Sequence, residues 1–121
     1  MHSVTQTQAN PICTTAKRLA LVLGLSFSAV SWAADVQALL VIKNHRFEPS
    51  ELKVPANQRV RLTVHNQDST PEEFESHDLN REKVIPAGGK AVIFIGPLKP
   101  GRYAFVGEFN EATAKGVVIA E

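Results

Sequence analysis

The chain has 121 residues, a formal net charge of +1 at pH 7 and one cysteine, Cys13. This length suits one domain with a single hydrophobic core. The near-neutral charge favours neither a nucleic acid nor an anionic membrane surface as a partner. A single cysteine cannot form a disulfide within the chain, so packing must stabilise the fold.

The first segment has the order of a secretory signal peptide. Lys17 and Arg18 precede an apolar run over residues 19–30, and small residues follow it up to Ala33. The run is about twelve residues long, well short of the roughly twenty that a membrane-spanning helix needs. The sequence therefore predicts a signal peptide over residues 1–33, cleaved after Ala33, and a protein exported to the periplasm.

Cleavage would change the chemistry that the chain can perform. The predicted domain, residues 34–121, contains three histidines and no sulfur atom, because Cys13 and Met1 lie in the segment that is removed. Cys13 precedes the apolar run, whereas a lipoprotein cysteine would follow it, so no lipid anchor is expected. The remaining 11 basic and 12 acidic residues give a formal charge of −1.

Short apolar segments alternate with turns over the rest of the chain. They are rich in Val, Ile, Leu and Phe, and the turns contain Pro, Gly and Asn, which is typical of an all-β sandwich or barrel. The clearest case is residues 59–66, where Val60, Leu62 and Val64 alternate with polar residues. The predicted strands cover residues 36–44, 51–54, 59–66, 73–77, 82–85, 91–95, 102–106 and 116–120. One helical turn is expected within residues 110–115.

Several motifs resemble the cupredoxin superfamily. They are Phe47-x-Pro49 with residues 54–57, the loop over 66–74, Pro-Ala-Gly-Gly at 86–89, and the segment 98–105. The resemblance implies a cupredoxin-like Greek-key β-sandwich of about seven to eight strands over residues 34–121.

Within that superfamily, a narrower likeness points to iron uptake. Glu73-Phe74-Glu75 and residues 81–85 are similar to the EfeO-type cupredoxin-like domain and to the small periplasmic cupredoxin-like component of bacterial ferrous-iron uptake systems. This likeness implies a periplasmic iron-binding protein and an inner-membrane iron permease as partners.

The resemblance also identifies where copper ligands would lie. Copper-binding members carry a loop of the form Tyr-x-Phe-x-Cys-x-x-His-x-x-x-Met-x-Gly, which aligns here on Tyr103, Phe105 and Gly116. In this loop Gly107, Asn110 and Ala114 replace the cysteine, the histidine and the methionine. The second histidine of copper-binding members lies in an earlier Pro-His-Glu-Phe segment, which here reads Pro-Glu-Glu-Phe over 71–74, so Glu72 replaces it. A type 1 site requires a thiolate, so we expect no type 1 copper.

Other residues near the same end could still hold a metal ion. Glu73, Glu75 and His77 lie two apart, so on a strand they project from one face about 6–7 Å apart. The loop that replaces the copper loop adds further carboxylates. The candidate metal ligands are Glu72, Glu73, Glu75, His77, Glu108 and Glu111. Carboxylate and imidazole ligands favour Cu(II) or Fe(II), whereas an ordinary solvated acidic surface is the alternative reading.

These observations lead to one expected function with two alternatives. The protein is expected to be a periplasmic accessory in iron or copper uptake that binds or hands over metal and is not a blue-copper electron carrier. The alternatives are a metal-free protein-interaction module and a copper-dependent ferroxidase subunit. No motif of a hydrolytic enzyme is present in the sequence.

Overall fold

The computed structural model describes residues 3, 8–10, 20–30 and 34–121. It divides into a unit over Met1–Ser31 and a unit over Trp32–Glu121. Residues 20–30 contain no helix or strand and are exposed. The expected cleavage point falls within residues 31–33, outside the described residues, so the signal peptide stays a prediction. Among the described residues, no helix is long and apolar enough to cross a membrane.

The second unit confirms the all-β prediction. It contains nine strands and one 3-10 turn in the described part of the chain. The strands are β1 Val36–Lys43, β2 Arg46–Glu48, β3 Glu51–Val54, β4 Val60–Asn66, β5 Glu72–Ser76, β6 Arg81–Ile85, β7 Lys90–Ile95, β8 Gly101–Gly107 and β9 Lys115–Ala120. The turn covers Glu108–Asn110, slightly before the segment where a helical turn was expected.

The additional strand is β2, which lies between the predicted strands 36–44 and 51–54. Asn44 and His45 both have positive φ, 52° and 55°, and they connect β1 to β2 in an antiparallel hairpin. Positive φ at both central residues is the requirement of the tight turn that best matches strand twist. Phe47 is thereby directed into the core.

The nine strands form two mixed sheets. One has the order β2-β1-β4-β7 and the other has the order β3-β9-β8-β5-β6. Two pairs are parallel, β1 with β4 and β3 with β9, and the other pairs are antiparallel. Sequence neighbours therefore often lie in different sheets, as they do in sandwiches with Greek-key connections.

The core lies between the sheets and fixes the strands that carry the site. Phe47, Phe74 and Phe105 are buried, and their ring centroids lie 4.9 to 6.2 Å apart. Phe74 belongs to β5 and Phe105 to β8, and these two rings are stacked at 5.1 Å. Aromatic contacts at such separations stabilise beyond the area that they bury. The packing of Phe74 against Phe105 thus fixes the positions of β5 and β8, which carry outward-facing side chains on their other side.

Candidate functional site

The four positions that correspond to copper ligands meet at one end of the sandwich. A Cβ atom on Gly107 would lie 2.6 Å from the Ala114 Cβ and 2.7 Å from the Glu72 Cδ. Asn110 Nδ2 donates a hydrogen bond of 2.7 Å to Glu72 Oε2. Gly107 N donates to Ala114 O at 2.8 Å. The four residues therefore occupy one shared space.

That space is filled by a buried, hydrogen-bonded carboxylate. Glu72 is 1% exposed. Its Oε1 accepts hydrogen bonds from Glu73 N and Phe109 N, both at 3.0 Å, while Oε2 accepts the bond from Asn110. Three donors satisfy the charged oxygens as a buried carboxylate requires. Glu72 thus ties β5 to the loop that follows β8.

Gly107 makes this arrangement possible. Any side chain at this position would point at the Glu72 carboxylate and at Ala114, at distances that real Cβ atoms do not adopt. The glycine is needed here for close approach of the groups around it, since its φ of −89° is open to any residue. The space that a thiolate ligand would need at this position is therefore filled by the Glu72 carboxyl group and the Ala114 side chain.

A second group of acidic side chains lies nearby on the outer face of the five-stranded sheet. One carboxylate oxygen from each of Glu73, Glu82 and Glu108 lies within 4.8 Å of the other two. Glu73 is buried, whereas Glu82 and Glu108 are exposed. These three residues are called the carboxylate cluster below. They come from β5, from β6 and from the 3-10 turn, so tertiary structure is required to bring them together.

Strand register explains why Glu82 belongs to this group. In the antiparallel pairing of β5 with β6, Glu75 lies opposite Glu82 and Glu73 lies opposite Val84. Opposed residues of an antiparallel pair share a face. On the other side of β5, Glu75 lies opposite Val106 of β8, and Glu108 follows two residues later on the same side.

The surroundings of Glu73 and Glu75 raise both of their pKa values. The pKa of Glu73 is raised from 4.5 to about 7, first by a hydrogen bond with the carboxyl group of Glu82, then by desolvation and by Glu108. The pKa of Glu75 is also raised, by desolvation and by the nearby charge of Glu108, while His77 acts in the opposite direction. Crowded carboxylates hold a proton because they cannot all ionise without repulsion.

Few positive groups balance these charges. His77 Nε2 lies 3.5 Å from Glu75 Oε1, and its side chain is 95% exposed. Within residues 34–121, no lysine or arginine forms an ion pair with a member of the carboxylate cluster. A polar surface cavity of about 330 Å³ adjoins the group, and Glu75, His77 and Glu82 line it together with the basic residue Arg81. The arrangement has the chemistry of a cation-binding surface made of oxygen ligands.

Comparison with known proteins identifies the family. The family model described as "Cupredoxin-like domain" matches residues 17–120. The chain belongs to this family. It is 44% identical over 84 residues to the uncharacterized protein RP394 of Rickettsia prowazekii, a match that covers 69% of this chain and 67% of that protein.

Solved structures of several proteins share the fold. The purple cupredoxin of Nitrosopumilus maritimus superposes with a TM-score of 0.56 at 21% identity, covering 69% of this chain and 99% of that one. Auracyanin A of Chloroflexus aurantiacus, a blue copper protein, superposes with a TM-score of 0.62 at 11% identity, covering 73% of this chain and 100% of that one. The metal-binding domain of the Streptococcus pneumoniae Cu(I)-exporting ATPase CopA superposes with a TM-score of 0.61 at 16% identity, covering 75% of this chain and 91% of that one. At these identities the likeness shows the fold alone.

The cupredoxin-like domain brings some of the predicted ligands together and separates others. Glu73 and Glu108 meet in the carboxylate cluster, and Glu75 lies beside it with His77. Glu72 instead points into the protein, as the inward partner of Ile85. Glu111 is exposed and lies outside the cluster. The structure adds Glu82, which the sequence analysis did not select.

Proposed function

We propose that this cupredoxin-like domain is an exported metal-binding accessory protein that holds Cu(II) or Fe(II) at the carboxylate cluster. The observation that carries the proposal is the convergence of three carboxylate oxygens within 4.8 Å on an outer sheet face. A divalent cation would neutralise the repulsion between these carboxylates, which contributes to the raised pKa of Glu73 after its hydrogen bond with Glu82 and desolvation. Glu75 lies beside Glu108 and would supply a further oxygen, and His77 Nε2 lies 3.5 Å from Glu75 Oε1.

The proposal excludes a type 1 copper site. The mature chain has no thiol to give a thiolate ligand. The space that such a ligand would need holds the Glu72 carboxylate, and both of its oxygens already accept hydrogen bonds. A blue-copper electron carrier therefore fits neither the residue types nor the packing.

Exposure of the carboxylate cluster supports transfer of metal in preference to storage. Glu82 and Glu108 are exposed, so a bound ion would keep one side open to water or to another protein. Open coordination favours exchange, whereas closed coordination favours a structural role. We propose a role in bacterial iron uptake, in which the protein receives metal from, or passes it to, a periplasmic iron-binding protein and an inner-membrane iron permease.

Calorimetric titration of residues 34–121 tests the proposal. Fe(II) is added without oxygen and Cu(II) is added in air, to the wild type, to Glu82→Gln/Glu108→Gln and to the control Glu111→Gln. Loss of two carboxylate ligands should weaken binding at least tenfold, which corresponds to about 1.4 kcal/mol. The control, which lies in the same loop but outside the carboxylate cluster, should bind as the wild type does.

Two results would overturn the metal-binding proposal. One is the absence of binding by the wild type below about millimolar concentration for both ions. The other is equal binding by the double variant and the control. Addition of Fe(II) to the Cu(II)-loaded protein in air then separates carriage from catalysis, because faster Fe(II) oxidation that requires copper would indicate a ferroxidase subunit.

A further inference from the structure

The outer face of the four-stranded sheet carries exposed apolar side chains in its centre. Leu39 is 55% exposed, and Val92 and Phe94 are each 37% exposed. Strand register places these residues on one surface: Leu39 pairs with Thr63, which pairs with Val92, and Arg61 pairs with Phe94 in the adjacent row. This surface is called the β1–β4–β7 face.

Basic side chains border this apolar centre. Arg61 lies on β4 and Lys90 lies on β7. At the edge of the face, Lys43 of β1 lies opposite Arg46 of β2 across the hairpin. The acidic residues at this face are Glu48, opposite Val41, and Asp35, whose Oδ1 lies 3.8 Å from Arg59 Nε. The face therefore has a clear positive charge, although the mature chain as a whole has a formal charge of −1.

The opposite outer face of the sandwich carries an acidic region, formed by the carboxylate cluster and Glu75. The rest of that face includes the basic residues Lys53, Arg102 and Lys115. The two outer faces thus present local regions of opposite charge. A separation of this kind orients a protein as it approaches a charged partner and raises the rate of productive encounter.

The shape of the β1–β4–β7 face favours a protein partner over a lipid bilayer. The Arg59 guanidinium lies 4.3 Å from the centroid of the Phe94 ring, and Arg81 Nε donates to Phe94 O at 2.8 Å. The guanidinium thus lies over the Phe94 ring, while Arg81 binds the backbone carbonyl of the same residue. Binding to a bilayer requires apolar groups that reach past the headgroups, which a flat sheet covered by guanidinium does not provide.

We propose that the β1–β4–β7 face is a docking surface for a protein that presents an apolar centre bordered by Asp and Glu. Leu39, Val92 and Phe94 would contact the apolar centre, and Arg61 and Lys90 would pair with the acidic border. Interfaces commonly combine an apolar core with a polar rim in this way. Because this face and the carboxylate cluster lie on different sheets, docking leaves the cluster open, and the inference does not depend on metal binding.

Site-specific photo-crosslinking in the cells that naturally produce the protein tests the proposal. A photoreactive amino acid replaces Gln37, an exposed residue in the Arg61–Phe94 row. The charge-reversal variant Arg61→Glu/Lys90→Glu is compared with Lys53→Glu/Lys99→Glu, which makes the same change in charge away from the face. The thermal midpoints of both variants are measured first, and Arg61→Gln/Lys90→Gln replaces the reversal if it fails to fold.

The expected product is one crosslinked protein whose yield falls at least tenfold with the face variant and is unchanged with the control. Replacing acidic residues of that protein by Lys should restore crosslinking to the Arg61→Glu/Lys90→Glu variant. The proposal is overturned by a product that survives charge reversal, by a dimer of this chain or by the absence of any product. It is also overturned if the protein cosediments with phosphatidylglycerol vesicles and the face variant abolishes that binding.

Discussion

The buried Glu72 carboxylate provides the sharpest prediction about stability. Replacing it by Ala in Glu72→Ala leaves three donors without their acceptor: Glu73 N, Phe109 N and Asn110 Nδ2. A buried donor without a partner costs roughly 1–3 kcal/mol. The donors of Phe109 and Asn110 are only part-buried, so water can partly replace the lost acceptor. We expect Glu72→Ala to lower the free energy of unfolding by about 3–4 kcal/mol.

Urea unfolding followed by circular dichroism measures this change. Glu72→Gln keeps one carbonyl oxygen to accept from Glu73 N and Phe109 N, and a flip of the Asn110 amide can keep the third bond. Its expected loss is smaller, about 1–2 kcal/mol, because the bonds no longer involve a charged acceptor. The control Glu111→Ala removes an exposed carboxylate from the same loop and should change stability by less than about 0.5 kcal/mol. A loss below about 1 kcal/mol for Glu72→Ala would refute the view that this carboxylate holds the loop in place.

Two further predictions follow from the same end of the sandwich. Because the pKa of Glu73 is raised from 4.5 to about 7, the folded protein keeps a proton that the unfolded chain releases, so the free energy of unfolding should fall as pH rises between these values. Glu82→Gln should make this pH-dependent loss of stability smaller. Urea midpoints measured between pH 4 and 8 test this, and a pH profile identical to that of the wild type would contradict the prediction. Gly107→Ala should lower the free energy of unfolding by about 2–3 kcal/mol through overpacking. The reason is that its Cβ would lie 2.6 Å from the Ala114 Cβ. In the control variant Gly101→Ala, the added Cβ meets no atom closer than 3.6 Å. Equal urea midpoints for these two glycine variants would contradict the packing account.

The fold could be predicted from the sequence because its determinants are local. The alternation in β4 places Val60, Leu62 and Val64 in the core, where all three are fully buried. Turn residues mark most strand ends. The β2 strand was missed because it has three residues and its hairpin depends on left-handed Asn44 and His45, a conformation that composition alone does not reveal.

The candidate site could be predicted only in part because it depends on register. Glu73 was selected for its two-residue spacing with Glu75 and His77, and Glu108 because it lies in the loop that replaces the copper loop; the structure does bring them together. Glu82 joins them only through the pairing of β5 with β6, which the sequence does not specify. Glu72 was selected because it takes the position of a copper-ligand histidine, yet strand alternation turns it inward, away from Glu73. One residue along a strand is enough to reverse the environment of a carboxylate.

The location of a bound ion is the central claim, and paramagnetic broadening of amide NMR signals by Cu(II) tests it directly. Substoichiometric Cu(II) is added to the isotope-labelled protein over residues 34–121. The account predicts that the signals of Glu73, Glu82 and Glu108 broaden first, and that Glu82→Gln/Glu108→Gln abolishes the effect. Broadening that begins instead around His45 or His65, away from the carboxylate cluster, would contradict it.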